Sequence, residues 1–206
     1  MTDPAARADF IRAHLPVTPV PGIPSLRLHK AGPASGVGRL GDAAPYWAYW
    51  WAGGLVLARY LLAHPEQVAG RRVFDLGAGS GLVGIAAARA GATRVVASEI
   101  DPHAQVAIAL NAALNDVHVA AIEGDCTGGD VPPVDLVLVG DVFYAPDVAA
   151  RVTAFLDRCV AAGVTVLVGD PGRAPLPVAR LTLLAQDAVA ETGTARPAAV
   201  YAYHAP

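Results

Sequence analysis

Lysine is almost missing from this chain. Lys30 is the only one in 206 residues, and the 15 basic residues, otherwise arginines, face 18 acidic ones for a formal net charge of −3. Such a balance provides no basic field for a phosphate backbone, so nucleic acid is not an expected partner. Cysteine is equally scarce. Cys126 and Cys159 are too few for a disulfide framework, and neither a C-x-x-C nor an H-x-x-x-H spacing offers a metal site. The six histidines are scattered and read as surface or core fillers. Although 54% of the residues are apolar, alanine and valine inflate that share, and no run of eighteen escapes interruption by glycine, proline or charge. A membrane span is therefore not expected. The first thirty residues carry Asp3, Arg7, Asp9 and Arg12 without an apolar segment, so no secretory signal is read there and the cytoplasm is the expected compartment.

What the chain does have is glycine in one telling place. Residues 73–84 read Val-Phe-Asp-Leu-Gly-Ala-Gly-Ser-Gly-Leu-Val-Gly, an apolar run closing on Asp75 and a turn built on Gly77, Gly79 and Gly81. An alanine-rich stretch with high helix propensity, Ile85 to Ala90, follows. This is the strand–loop–helix that opens a nucleotide-binding α/β unit, with glycines for a sharp turn and close ligand approach, and a helix N-terminus offering unpaired N–H groups. The glycines alone leave two cofactors open. Gly79 to Gly84 also satisfies G-x-G-x-x-G, with Glu99 spaced as the ribose acid of NAD. Asp75 favours the other reading, because a carboxylate aimed into the loop repels a pyrophosphate. S-adenosyl-L-methionine has no phosphate, and its sulfonium and ammonium groups suit an acidic surround. A turn without any ligand is disfavoured, since four glycines there weaken local stability without return.

At this length the chain is read as a proline-rich arm, residues 1–45, followed by one domain, residues 46–206. The arm has a helical stretch from Ala5 to His14. Pro16, Pro19, Pro21, Pro24 and Pro33 then predict an extended or irregular cap. All three tryptophans fall in Pro45 to Gly54, where the rings suit either a core or the wall of a cofactor pocket. Leu55 to Ala63 has helical spacing and stops at Pro65. Strands are expected at Arg94 to Ser98, Val117 to Ile122, Val134 to Val139 and Val164 to Val168, with helices from Pro102 to about Leu114 and from Pro146 to Val160. A short helix near Pro177–Leu184 precedes two antiparallel strands, near Asp187–Glu191 and Ala198–Tyr203. Strand and helix alternate, so the expected fold is α/β and Rossmann-like: a seven-stranded, mostly parallel sheet with helices on both faces and an antiparallel C-terminal hairpin.

Asp75, Glu99, Asp125, Asp141 and Asp170 each follow a strand. In a parallel sheet that edge lines the ligand crevice. Glu99 suits both hydroxyls of an adenosine ribose; Asp101 suits a helix N-terminus better. Asp125 suits an adenine amino group or a plain turn. Asp141 and Tyr144 flank the place where an acceptor would meet the methyl group, and methyl transfer chiefly demands alignment of nucleophile, carbon and sulfur.

The segment DLGAGSG, followed by Glu99 and the fourth-strand acid, resembles the seven-β-strand S-adenosylmethionine-dependent methyltransferases. Within them the chain is most similar to the electron transfer flavoprotein beta subunit lysine methyltransferase family. That resemblance rests on Tyr46 to Gly54 with Leu57 to Leu62, Asp75 to Gly81, Ile100-Asp101-Pro102 with Asn111 and Asn115, Gly140 to Tyr144, and Gly169 to Arg173. Ala52 departs from it, standing where relatives carry proline in Trp-Pro-Gly-Gly. The resemblance implies methyl transfer to a lysine ε-amine of that protein partner, with Trp51, Asp75, Gly77, Gly79, Gly81, Glu99, Asp125 and Gly140 as cofactor-binding residues. Asp141 would orient the amine and Tyr144 shape its pocket. Asp170 and Arg173 would form a substrate-facing rim or a loop-stabilising pair. The ribosomal protein L11 methyltransferases are similar through the glycine loop and Asp101-Pro102. They differ after the fourth strand, where an Asn-Pro-Pro-Tyr-type motif replaces Asp141-Val142-Phe143-Tyr144. Transfer to a small molecule, and a dinucleotide-dependent oxidoreductase or inactive cofactor-binding module, are the alternatives.

Overall fold

A computed structural model describes residues 3–40, 44–191 and 194–205. Its centre is a seven-stranded sheet in the order β5-β4-β3-β6-β7-β9-β8. The strands are β3 (Arg72–Leu76), β4 (Arg94–Glu99), β5 (Ala120–Glu123), β6 (Leu136–Gly140), β7 (Thr165–Asp170), β8 (Leu181–Ala190) and β9 (Ala195–Tyr203). β3 through β7 pair in parallel, and β9 runs antiparallel to both β7 and β8.

Period-two alternation along the central strands divides the core. Val73, Leu136 and Leu138 face α2 (Ala52–Ala63) and α3 (Leu82–Arg89), which contribute Leu55, Leu57, Leu61 and Ile85. Phe74, Val137 and Val139 point the other way, against Phe155 and Leu156 of α5 (Pro146–Ala161). Strands buried on both faces read as near-continuous apolar runs, as these do. The chain steps outward to β4 on one side of β3 and returns to β6 on the other. Connections diverging from that point leave a crevice at the carboxyl ends of β3 and β6.

Helix α4 (Pro102–Leu114) has the boundaries its sequence predicts, with Pro102 in the first turn and the Asp101 carboxylate accepting from His103 N at 2.8 Å. Three segments differ from expectation. Helix α1 (Pro4–His14) forms as the expected helical stretch, but after it the chain makes the antiparallel hairpin β1 (Val17–Val20) and β2 (Ile23–His29) rather than an extended or irregular arm. Ile11, Leu15, Leu26 and Leu28 are fully buried there, and prolines sit in these short strands because edge positions tolerate a missing donor. No helix forms over residues 177–184. A single 3-10 turn, Val178–Arg180, leads directly into β8, where pairing of Leu181 with Tyr203 outweighs local helix preference. β5 begins only at Ala120, where Val96 of β4 supplies a partner. The expected loop between the last two strands includes Gly193, which lies outside the described residues.

Candidate active site

Gly77, Gly79 and Gly81 all have positive φ, at 66°, 54° and 82°. A side chain at Gly77 would put Cβ 2.7 Å from Val142 Cγ1, so the turn requires glycine on conformation and on space. Asp75 lies beneath this turn, 1% exposed, and its Oδ2 accepts from Gly84 N at 2.8 Å. Burial pushes its pKa up to about 7, the charge of Glu99 adds to the rise, and the Gly84 hydrogen bond opposes it. Asp75 therefore ties β3 to the first turn of α3 instead of facing the crevice. Glu99, at the end of β4, accepts from Gly79 N at 2.9 Å through Oε2 and from Ile100 N at 2.7 Å through Oε1.

Across the crevice, Asp141 follows directly after β6 with φ 62°, an uncommon conformation for a residue bearing a side chain. It is 8% exposed. One carboxylate oxygen accepts from Gly53 N; the other takes Arg173 Nε at 2.7 Å and also Nη2. Helix α2 has no side-chain cap of its own. Its first amides are met from outside, Ala52 N by Glu191 Oε1 at 2.5 Å and Gly53 N by Asp141. Acidic groups suit that end of a helix. A proline at position 52, as in the expected motif, would have no such donor. A Cβ on Gly53 would run into Gly169 O and Asp141 Oδ2, and one on Gly140 would sit 3.0 Å from Gly54 Cα. Burial raises the pKa of Asp141, and the Arg173 charge and the Gly53 amide hold it back.

Asp170 and Arg173 divide their work. Asp170 is completely buried, and its Oδ1 accepts from Gly172 N and Arg173 N, both at 2.7 Å. It fixes the turn, and that turn delivers the Arg173 guanidinium to Asp141. Asp125 accepts from Thr127 N at 2.9 Å and Thr127 Oγ1 at 2.5 Å, and it meets Arg151 Nε at 3.4 Å.

The aromatic cluster also separates. Trp50 is core, its indole donating to Glu191 O at 3.2 Å. Trp51 donates to Tyr46 O at 3.0 Å, and the Tyr46 ring stands 5.6 Å from Trp51 and 6.0 Å from Tyr144. These rings edge a cavity of about 840 Å³ that is also lined by Trp51, Gly77, Gly79, Glu99, Asp125, Gly140, Asp141 and Tyr144. Of the ten expected site residues, Asp75 and Gly81 alone do not line it; Gly81 instead packs against Ile108 of α4, a Cβ there falling 3.2 Å from Ile108 Cγ1. Glu191 carried no signal in the sequence, since its function as a cap depends on a strand end 139 residues from Ala52. Among the described residues, no three His, Cys, Asp or Glu side chains group as a metal site, and no helix is long and apolar enough to cross a membrane.

The switch-point crevice, the positive-φ glycine turn and two carboxylates on opposite walls place this chain among Rossmann-like α/β proteins. Solved structures with the same fold include the magnesium protoporphyrin IX methyltransferase of Synechocystis (TM-score 0.55, 13% identity, 73% of this chain and 79% of that one). The ribosomal protein L11 methylase of Lactobacillus delbrueckii also shares it (TM-score 0.53, 20% identity, 72% of this chain and 77% of that one). The chain belongs to the lysine methyltransferase family, whose sequence profile matches residues 47–174. The electron transfer flavoprotein beta subunit lysine methyltransferase of Xenopus laevis is 39% identical over 174 residues, covering 80% of this chain and 70% of that protein. Its Danio rerio counterpart is 46% identical over 132 residues, covering 63% and 51%. The human one is 44% identical over 131 residues, covering 63% and 50%. The chain thus spans about half the length of the fish and human proteins.

Proposed function

We propose that this protein transfers a methyl group from S-adenosyl-L-methionine to a lysine ε-amine of the electron transfer flavoprotein beta subunit. The observation that carries the reading is Asp141. It is a buried carboxylate held in a left-handed backbone conformation at the cavity wall, across the switch point from Glu99. The relatives described above point to the substrate protein.

The donor set suits such a cofactor. Glu99, Asp101, Asp125 and Asp141 line the cavity, and its two arginines, Arg151 and Arg173, are both paired with carboxylates. The net field favours a cation and opposes a pyrophosphate. Bare backbone at Gly77 and Gly79 allows close approach. When bound, S-adenosylmethionine supplies a methyl group on a cationic sulfur. Glu99 is the acceptor for ribose hydroxyls, Asp125 borders the adenine end, and Trp51 forms a flat wall. Asp75 and Gly81 serve indirectly, by fixing the turn.

A lysine attacks only as the free amine. Asp141 accepts a hydrogen bond from that nitrogen and aims its lone pair, while the Tyr46 and Tyr144 rings, 56% and 49% exposed, flank the aliphatic stem and exclude water. Calorimetry with S-adenosylmethionine and, separately, NAD tests the cofactor. Transfer of tritiated methyl to the purified beta subunit tests the acceptor. Binding of NAD alone, or an unlabelled beta subunit, would overturn the proposal.

A further inference from the structure

An isolated carboxylate is a poor partner for a lysine about to act as a nucleophile. It attracts the ammonium form, stabilises the extra proton, and so removes the lone pair that must attack. Asp141 does not stand isolated. Its side chain is 4% exposed and its Oδ1 is held by both Nε and Nη2 of Arg173, whose side chain remains 26% exposed at the cavity wall. The pair is nearly neutral before any substrate arrives.

We propose that Arg173 neutralises Asp141 in advance, so that the acceptor lysine is held there as a free amine rather than trapped as an ammonium ion. This rests on the assignment of Asp141 to the acceptor nitrogen. The geometry supports it in three ways. Arg173 uses only one carboxylate oxygen, and the Gly53 amide occupies a single site on the other, which leaves Oδ2 able to accept from an incoming N–H. The Arg173 backbone is fixed by Asp170 through the amides of residues 172 and 173, so the guanidinium is placed by the fold and need not be recruited. The surroundings also make the arginine necessary. The charged groups acting on Asp141 from neighbouring elements are Asp170 at the end of β7 and Glu191 after β8, both acidic, with Arg196 of β9 paired to Glu191 at 2.8 Å, while α2 offers an uncharged amide and Tyr144 a phenol on the same loop. Without Arg173, Asp141 would have no cation of its own beside Asp170 and Glu191, since Arg196 pairs with Glu191, inviting either a proton onto Asp141 or an ammonium beside it. With Arg173 present, the lysine gives its proton to water and the resulting amine donates one N–H to Asp141 while its lone pair stays free. Arg173 is in this sense a positioning residue, acting through Asp141.

The test compares wild type, Arg173→Lys and Arg173→Gln. Methyl transfer to the electron transfer flavoprotein beta subunit is followed at saturating cofactor and substrate, from about pH 6 to about pH 11, a range that brackets the ordinary lysine value of about 10.4. The ¹³C carboxyl resonance of Asp141 is titrated in the same proteins. In Arg173→Gln the acid limb of kcat should move up by about 1–3 pH units, the size of one lost neighbouring charge, with activity recovering in alkali. Its Asp141 carboxyl should titrate at higher pH than in wild type. Arg173→Lys, which keeps the charge, should leave both the limb and the carboxyl titration near wild type. An unmoved limb in Arg173→Gln, an equal loss at every pH, or a lysine variant as impaired as the glutamine one would overturn the inference. If wild type labels no beta subunit, the functional assignment fails instead, and the Asp141 titration still decides whether Arg173 sets the charge at that carboxylate.

Discussion

The side-chain amide of Asn111, on α4, donates to the carbonyl of Ser80 at 2.9 Å, inside the glycine turn. Its oxygen accepts from His29 N at 2.8 Å, at the end of β2, so one buried side chain links the N-terminal hairpin to the turn beneath the cavity. Asn115, one helical turn on, continues the seam by bonding both the N–H and the carbonyl of Arg27. Asn111→Ala would strand a buried donor and acceptor, and should cost about 2–4 kcal/mol. A thermal melt should fall by roughly 5–15 °C, and calorimetry should show weaker S-adenosylmethionine binding because the turn loses its support.

Gly53 should tolerate no side chain. In Gly53→Ala the new methyl meets Gly169 O and the Asp141 carboxylate, both fixed by the sheet. Overpacking of this kind costs about 1–3 kcal/mol and displaces Asp141, so methyl transfer should fall further than stability does. Comparing turnover with the denaturant midpoint separates the two effects.

Asp75 predicts an unusual pH trend. Its folded pKa is about 7 against an ordinary 3.8, so between those values the folded state binds more protons than the unfolded one. Stability from this group is therefore greatest at low pH and declines as pH rises through that window, by up to about 4 kcal/mol for three units. Asp75→Asn should flatten this part of the profile. Chemical denaturation at several pH values between the two limits measures the slope directly.

These residues also mark what could and could not be read from the chain. Helix α4 was legible to the residue because its signals are local: Asp101 as cap, Pro102 in the first turn, apolar spacing to Leu114. The glycine turn was legible for the same reason. The N-terminal hairpin was not, since Pro19 and Pro24 argue against strands and the partner surface, Asn111 and Asn115, lies more than eighty residues away. The end of β8, from Asp187, was legible as a strand, but its start at Leu181 was expected as helix, because this exposed edge lacks alternation and only pairing with β9 defines it. Asp75 was expected to face the cofactor through its charge; burial and the Gly84 amide give it a structural role at one remove. The Arg173–Asp141 pair joins two loops that only the parallel pairing of β6 with β7 brings together.

Glu99 should govern cofactor affinity. Glu99→Gln keeps the shape but replaces one of two acceptor oxygens, Oε2 serving Gly79 N and Oε1 serving Ile100 N, with a donor. Loss of a charged hydrogen bond should weaken S-adenosylmethionine binding by about tenfold to a hundredfold. The Kd from calorimetry checks this, and kcat at saturation should change less.

The central claim is that Asp141 handles the acceptor and not the cofactor. Tritiated methyl transfer to the electron transfer flavoprotein beta subunit by wild type and Asp141→Asn, with the cofactor Kd of each measured alongside, tests it most directly. The expected result is a loss of turnover of about a hundredfold or more in the variant with the Kd nearly unchanged. Wild-type turnover in Asp141→Asn, or a loss explained entirely by weaker cofactor binding, would contradict it.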